Sequence, residues 1–177
     1  LKKTIAQLNP YIPETPLPVL EKKLGVSPIV RLSANENPFG TSPKVQAAIQ
    51  NFDFATTREY PDGDANQLRA AVAEHLHVDG DQLLFGCGLD EVIELTARTF
   101  LEPGDEIVEP WPTFGEYKIH CQIEDTKIVD VPVLADGQFD PDGLATAITD
   151  KTKLLWRCNP NNPTRTYMPP AAMRAWL

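Results

Sequence analysis

The sequence has little of what marks a metal site, a disulfide scaffold or a membrane segment. Its three cysteines, Cys87, Cys121 and Cys158, form no C-x-x-C pair, and His75, His77 and His120 do not group with them. No metal site and no disulfide framework are therefore expected, and the cysteines read as buried free thiols in a reducing compartment. No apolar run is long enough to cross a bilayer, and Lys2-Lys3 leads into no continuous apolar stretch of the signal-peptide kind. A cytoplasmic location with no membrane partner is expected. Basic residues are scarce too. Sixteen Lys and Arg against 25 Asp and Glu leave a net charge of −9, which argues against nucleic acid as a partner. No Ser-His-Asp order and no carboxylate pair at catalytic spacing is present.

Proline is plentiful. Seventeen of the 177 residues are proline, clustered at 10–18, 103–112 and 160–170, where they mark loops. Hydrophobic content of 42% and charged content of 23% are those of an ordinary globular protein. Residues 1–30 read as an extended arm with a short helix at Leu20–Leu24 closed by Gly25, and Ile29–Leu32 as a brief strand. Ser42-Pro43 opens a helix with Val45, Ala48, Ile49 and Phe52 on one face, and a second helix carries Leu68, Ala71, Val72 and Leu76. From residue 82 onward, short apolar runs alternate with helical periods. Strands are expected at Leu83–Phe85, Glu106–Glu109, Thr126–Val133 and Lys153–Trp156. Helices are expected at Leu89–Phe100, with Val92, Ile93, Leu95, Thr96 and Phe100 inward, then through Tyr117–Ile123, and at Asp140–Ile148 and Pro169–Leu177. Such alternation predicts an α/β fold in three α/β/α layers with a mainly parallel sheet.

In sheets of this kind ligands sit beyond the carboxyl ends of the strands. Three such ends carry distinctive residues. Gly86-Cys87-Gly88 turns straight into a helix at Leu89-Asp90-Glu91, where free backbone N–H groups can cradle a phosphate, although such turns are often purely structural. Trp111-Pro112-Thr113-Phe114 offers an aromatic ring either to a flat heterocycle or to the core. Arg157 to Thr166 contains Asn162, whose amide both donates and accepts, in a loop that reads either as a site or as an Asx-rich turn. Tyr60, in Tyr-Pro-Asp-Gly, offers a hydroxyl to an anion or anchors its loop. Lys151 and Lys153 stand at the wrong end of their strand for the same site.

Five motifs together carry a resemblance. Asn35-Glu36-Asn37-Pro38-Phe39-Gly40, Tyr60-Pro61-Asp62-Gly63, Gly88-Leu89-Asp90-Glu91, Pro112-Thr113-Phe114 and Asn159-Pro160-Asn161-Asn162-Pro163-Thr164 occur in the order seen in the N-terminal half of histidinol-phosphate aminotransferases. The chain resembles that family along nearly all its length. The resemblance implies a fold-type I enzyme that uses pyridoxal 5'-phosphate for a transamination in histidine biosynthesis. It implies an arm and part of a small domain over residues 1–40, and a large cofactor-binding domain, incomplete, over 41–177. The backbone at Leu89, Asp90 and Glu91 would hold the cofactor phosphate, Phe114 would stack on the pyridine ring, and Asn162 would bond its phenolic oxygen. Tyr60 would reach the cofactor phosphate of a partner subunit in a homodimer, and with Asn35 would border the substrate, a small amino compound or 2-oxo acid. The proline-rich arm would lie on that partner.

Two positions depart from the family pattern: Arg165 stands where glycine is usual, and Leu89 where a small residue is usual. The Schiff-base lysine, the acid for the pyridine nitrogen and an arginine for the substrate carboxylate are expected beyond residue 177, so no catalytic residue is assigned and the chain alone is expected to be inactive. A half-built parallel sheet is expected to self-associate. The alternatives are an aromatic amino-acid aminotransferase, a phosphothreonine decarboxylase-like enzyme of the same fold, or a non-catalytic binding or dimerisation module.

Overall fold

A computed structural model describes residues 2–8 and 12–176, with the side chains of 175 and 176 left aside. The helices before the sheet are α1 (Lys3–Gln7), α2 (Leu17–Leu24), α3 (Pro43–Gln50), α4 (Asn66–Leu76) and α5 (Leu89–Phe100). Then come β1 (Glu106–Trp111), α6 (Glu116–Ile123), β2 (Lys127–Pro132), α7 (Pro141–Ala147), β3 (Thr152–Leu155) and α8 (Pro170–Trp176). The chain divides into two compact units, one of Leu1–Pro10 with Leu84–Leu177, the other of Tyr11–Leu83.

In the first unit the sheet order is β2-β1-β3 and both pairings are parallel. β1 is therefore central and buried on both faces. Ile107 turns to one side, against Ala97 and Leu101 from the α5 segment and Cys121 of α6, with Ile128, Leu154 and Trp156 around them. Val108 turns to the other, against Val131, Phe139 and Leu144. Helices thus cover both faces of a parallel sheet, the three-layer α/β arrangement. Full burial of each such aliphatic side chain contributes roughly 1.5–3 kcal/mol. Caps fix the helix starts. The Asp140 carboxylate accepts the Gly143 N–H at 2.9 Å, with Pro141 at the first turn of α7. At the entry to β1, the Glu106 carboxylate accepts from Lys127 Nζ and Thr149 Oγ1, both at 2.8 Å, and these bonds, Lys127's first, hold it below the usual carboxylate range.

The second unit is held by local bonds. The Ser42 hydroxyl accepts the Lys44 N–H at 3.3 Å to cap α3, and Gly25, at φ +68°, ends α2. The Arg69 guanidinium on α4 donates to the carbonyls of Gly80 (2.7 Å) and Leu83 (2.6 Å), tying the helix to the segment that follows it. Arg31 pairs with Glu14 at 2.9 Å and donates to the Thr15 carbonyl. Among its described residues, 12–83, none is buried.

Several expectations need correction. Ile29–Leu32 and Leu83–Phe85 are irregular, because a strand exists only by pairing and neither run has a partner strand among the described residues. Of the residues expected to face inward on α5, Leu95 and Phe100 are exposed; the buried line is Ile93 and Ala97, continued by Leu101 beyond the helix end. All three cysteines are free, but only Cys121 is buried, and Cys87 is exposed.

Candidate functional site

The site is built where β1 and β3 end. Because the strands run parallel, Trp111–Phe114 and Arg157–Thr166 leave the sheet at the same edge. One buried side chain ties them together. Asn161 donates from Nδ2 to the Pro112 carbonyl (3.0 Å) and to Thr164 Oγ1 (2.8 Å), while its Oδ1 accepts from Thr113 Oγ1 at 2.8 Å. Both N–H donors and the carbonyl oxygen of its amide are thus engaged. The second loop closes on itself as well: Arg165 N–H donates to the Asn161 carbonyl (2.7 Å) and Asn161 N–H to that of Thr166 (2.8 Å). Further along, Thr166 Oγ1 donates to the Gly137 carbonyl at 2.8 Å. Asn159 and Met168 exchange two bonds, at 3.0 and 2.9 Å, across the base of the loop.

Two sequence-predicted residues ride on this frame. Asn162, half-buried, joins Pro163 through a cis peptide bond, and its side-chain amide makes no hydrogen bond among the described residues. Phe114 follows Thr113 and meets Tyr117 edge to face, with centroids 5.6 Å apart and planes at 81°. Tyr117 in turn stacks on Trp156 at 4.7 Å and 10°. Arg165, which stands where glycine is usual in the family, takes φ +60°, the left-handed conformation that favours glycine.

The third element is the start of α5. Gly88, at φ +86°, precedes it without any side-chain cap, and an added Cβ there would meet nothing within 4 Å. The N–H groups of Leu89, Asp90 and Glu91 lie in the first turn, where a helix offers them no internal acceptor. The Glu91 carboxylate folds back to accept the Cys87 N–H, which ties down the turn. Leu89 projects into solvent, so it leaves only its backbone to a ligand. The C-terminal part of α5 and Leu101 pack on Ile107 near the start of β1. α5 spans twelve residues, about 18 Å, from the glycine turn to that contact. Tyr60, fully exposed, and Asn35, also exposed, belong to the other unit. Near Asn35, Asn37 closes its own loop by accepting the Phe39 N–H and donating to the Gly40 carbonyl at 2.9 Å. Lys151 and Lys153 sit at the opening of β3, the far end of the sheet, as expected.

Behind the loops lies a low-dielectric layer. Glu109 on β1 is wholly buried, and as a carboxylate neither of its oxygens has a donor among the described residues. Burial, and then the nearby Asp130 carboxylate, push its pKa up to about 8. Burial also raises Cys121, to about 11, and raises Tyr117 beyond its ordinary range. Arg157, lowered by desolvation, lies over the Phe139 ring at 5.7 Å and donates to Met168 Sδ.

Sequence reasoning missed Asn161, Thr113, Tyr117 and Glu109. Thr113 and Thr164 were visible as partners for an amide, but in Asn161-Asn162 nothing local says which amide turns inward. Among the described residues no group of three His, Cys, Asp or Glu side chains is placed to hold a metal ion, and no helix is long and apolar enough to cross a membrane.

Comparison with known proteins agrees with this geometry. The chain is 47% identical over 177 residues to the histidinol-phosphate aminotransferase of Lactiplantibacillus plantarum, covering all of this chain and 50% of that protein. It is also 47% identical over 179 residues to that of Limosilactobacillus fermentum, with the same coverage. It thus spans about half the length of the curated relatives it matches. Among solved structures, the histidinol-phosphate aminotransferase of Sinorhizobium meliloti in complex with pyridoxal-5'-phosphate superposes with a TM-score of 0.84 at 26% identity, over 99% of this chain and 46% of that one. The aspartate aminotransferase of Thermus thermophilus with maleate gives 0.82 at 26% identity, over 99% and 49%. The family model for aminotransferase class I and II matches residues 27–176, which takes in the glycine turn, the aromatic turn and the Asn-Pro loop alike, and by that match the chain belongs to the class I and II aminotransferases.

Proposed function

We propose that the chain is the N-terminal, cofactor-holding part of a pyridoxal-phosphate-dependent aminotransferase that acts on histidinol phosphate with 2-oxoglutarate as amino acceptor. The observation that carries the substrate is the 47% identity, along the whole chain, to proteins of that name. The residues present fit the cofactor on grounds of their own. The uncapped start of α5 behind Gly88 leaves N–H donors for a phosphate, and the Asn162 amide makes no hydrogen bond among the described residues, in the loop that Asn161 ties to Thr113 next to Phe114. Pyridoxal phosphate, when bound, supplies the electron sink that makes the amino carbon's proton removable.

This chain's share of the work is positioning. The N–H groups of Leu89, Asp90 and Glu91 bind the phosphate in the field of the helix dipole. Phe114 covers one face of the ring and excludes water from it. Asn162 donates to the ring's oxygen, and Asn161 keeps that loop at a fixed distance from Phe114 through Thr113. Tyr60 reaches the partner's cofactor phosphate across a homodimer and with Asn35 borders the substrate, with residues 1–40 as arm and small-domain segment and 41–177 as the large-domain part. The proton-moving lysine comes from outside residues 1–177.

The test is an assay of the protein at the length of its relatives for 2-oxoglutarate-dependent deamination of histidinol phosphate, beside phenylalanine and tyrosine. Turnover of the aromatic amino acids without turnover of histidinol phosphate overturns the substrate in favour of an aromatic aminotransferase. Absence of any cofactor absorbance change on adding pyridoxal phosphate overturns the class.

A further inference from the structure

Glu109 has no part in the reading above, yet it is the most unusual side chain in the sheet. It occupies the middle of β1, exposes nothing to solvent, and as a carboxylate finds no donor for either oxygen among the described residues. The parallel register places it directly beside Asp130 of β2, so the two acids project from the same face. Among the described residues one ammonium, that of Lys118, lies beside these acids, and it is paired with Asp130. Lys118 Nζ lies 2.6 Å from Asp130 Oδ2 and 4.6 Å from the centre of the Trp111 ring. Two carboxylates beside a single lysine leave one negative charge uncompensated, and a charge buried without a partner costs far more than a neutral polar group.

The surroundings favour the neutral acid, because Asp130 can accept a hydrogen bond from Glu109 only while Glu109 keeps its proton. α6 brings Lys118, Tyr117 and Cys121 toward Glu109; β2 brings Asp130; the loop after β3 brings Cys158 to Tyr117. Of these only Lys118 favours ionisation, and its influence is smaller than that of burial and of Asp130. On the same side α5 and β3 contribute apolar neighbours, Ala97 and Leu154 among them. Tyr117 links this layer to the site, because its ring packs against both Phe114 and Trp156.

We propose that Glu109 is a proton-held latch between β1 and α6: the α6 face is tight while the carboxyl keeps its proton, and loosens around Tyr117 and Phe114 when the proton leaves to solvent. The inference does not depend on what ligand Phe114 meets. Burial lifts this acid from about 4.5 in the unfolded chain to about 8 in the folded one. Between those values the folded chain holds a proton that the unfolded chain has lost, so stability falls as pH rises through that window and levels off above it.

The experiment compares the wild-type protein with Glu109→Gln, which keeps the shape without the titratable proton, by chemical denaturation from pH 4 to 9. The expected result is that the wild-type unfolding constant, divided by that of E109Q, climbs by up to tenfold per pH unit across the window and is flat on either side. Native-state tryptophan emission is expected to titrate near pH 8 in the wild type and not in E109Q. A ratio that stays flat, or an emission midpoint that E109Q retains, overturns the latch. If E109Q does not fold, the carboxyl carbon-13 shift of Glu109 in the wild-type protein decides it. A midpoint near 8 supports the proposal and a midpoint below 6 overturns it.

Discussion

The two units of this chain place similar residue types in opposite circumstances. In the unit of residues 84–177, Ile93, Ile107 and Leu144 are sealed to within 1% of complete burial around β1. In the unit of residues 11–83, Ile49, Phe54 and Leu32 leave 63%, 69% and 86% of their surface open. The difference is not composition but the presence of a sheet. A central parallel strand gives apolar residues two faces on which to converge, whereas isolated short helices joined by loops give them none. The first unit draws stability from shared burial, the second from caps and arginine-to-carbonyl bonds, each of modest worth.

The sharpest way to break the comparison is to cut equal side chains from both units. Ile107→Ala is expected to cost about 2–5 kcal/mol in urea denaturation. Ile49→Ala on α3 is expected to stay within about 0.5 kcal/mol; comparable losses would mean that the second unit is packed in solution. Next in size is Asn161→Ala, which strands the Thr113 hydroxyl and the Pro112 carbonyl and is expected to cost roughly 1–3 kcal/mol while also weakening pyridoxal phosphate binding. Asn162→Ala, its neighbour, is expected to weaken binding with little effect on the denaturation midpoint. If the two asparagines behaved alike, the division between frame and ligand contact would be lost. Opposite in sign, Arg165→Gly relieves a left-handed backbone and is expected to stabilise by about 1 kcal/mol, read as a rise in thermal midpoint.

What was legible in the sequence followed the same division. Helix starts were readable where a cap and a proline coincide, as at Ser42-Pro43 and Asp140-Pro141, because those signals act within one turn. The glycine turn before α5 and the strands β1 to β3 were readable from alternation. The non-strands at Ile29–Leu32 and Leu83–Phe85 were misread for a physical reason: pairing is a non-local fact, and an apolar run does not state whether a neighbour exists. The inward line of α5 was misjudged because Ala97, small and easily passed over, is buried while larger Phe100 is not. Glu109 was invisible as a buried acid, since a glutamate near a strand end reads as a solvent-facing boundary. The departure at Arg165 was readable, and its backbone takes the left-handed conformation that a glycine would hold without strain.

The sheet order has a consequence for how the chain is made. β1 lies in the middle but emerges first, and both strands that flank it are synthesised later. Roughly 40 residues separate the end of β1 from the end of β3, so at usual translation speeds the nascent strand waits about 2–8 seconds before its second neighbour exists. During that interval the strand meant for the deepest place in the molecule is the one with most to hide. Glu106 and Glu109, the acids that bracket Ile107 and Val108, then give an unpaired segment charge and hydration; the finished sheet keeps the charge of Glu106 on Lys127 and withdraws that of Glu109.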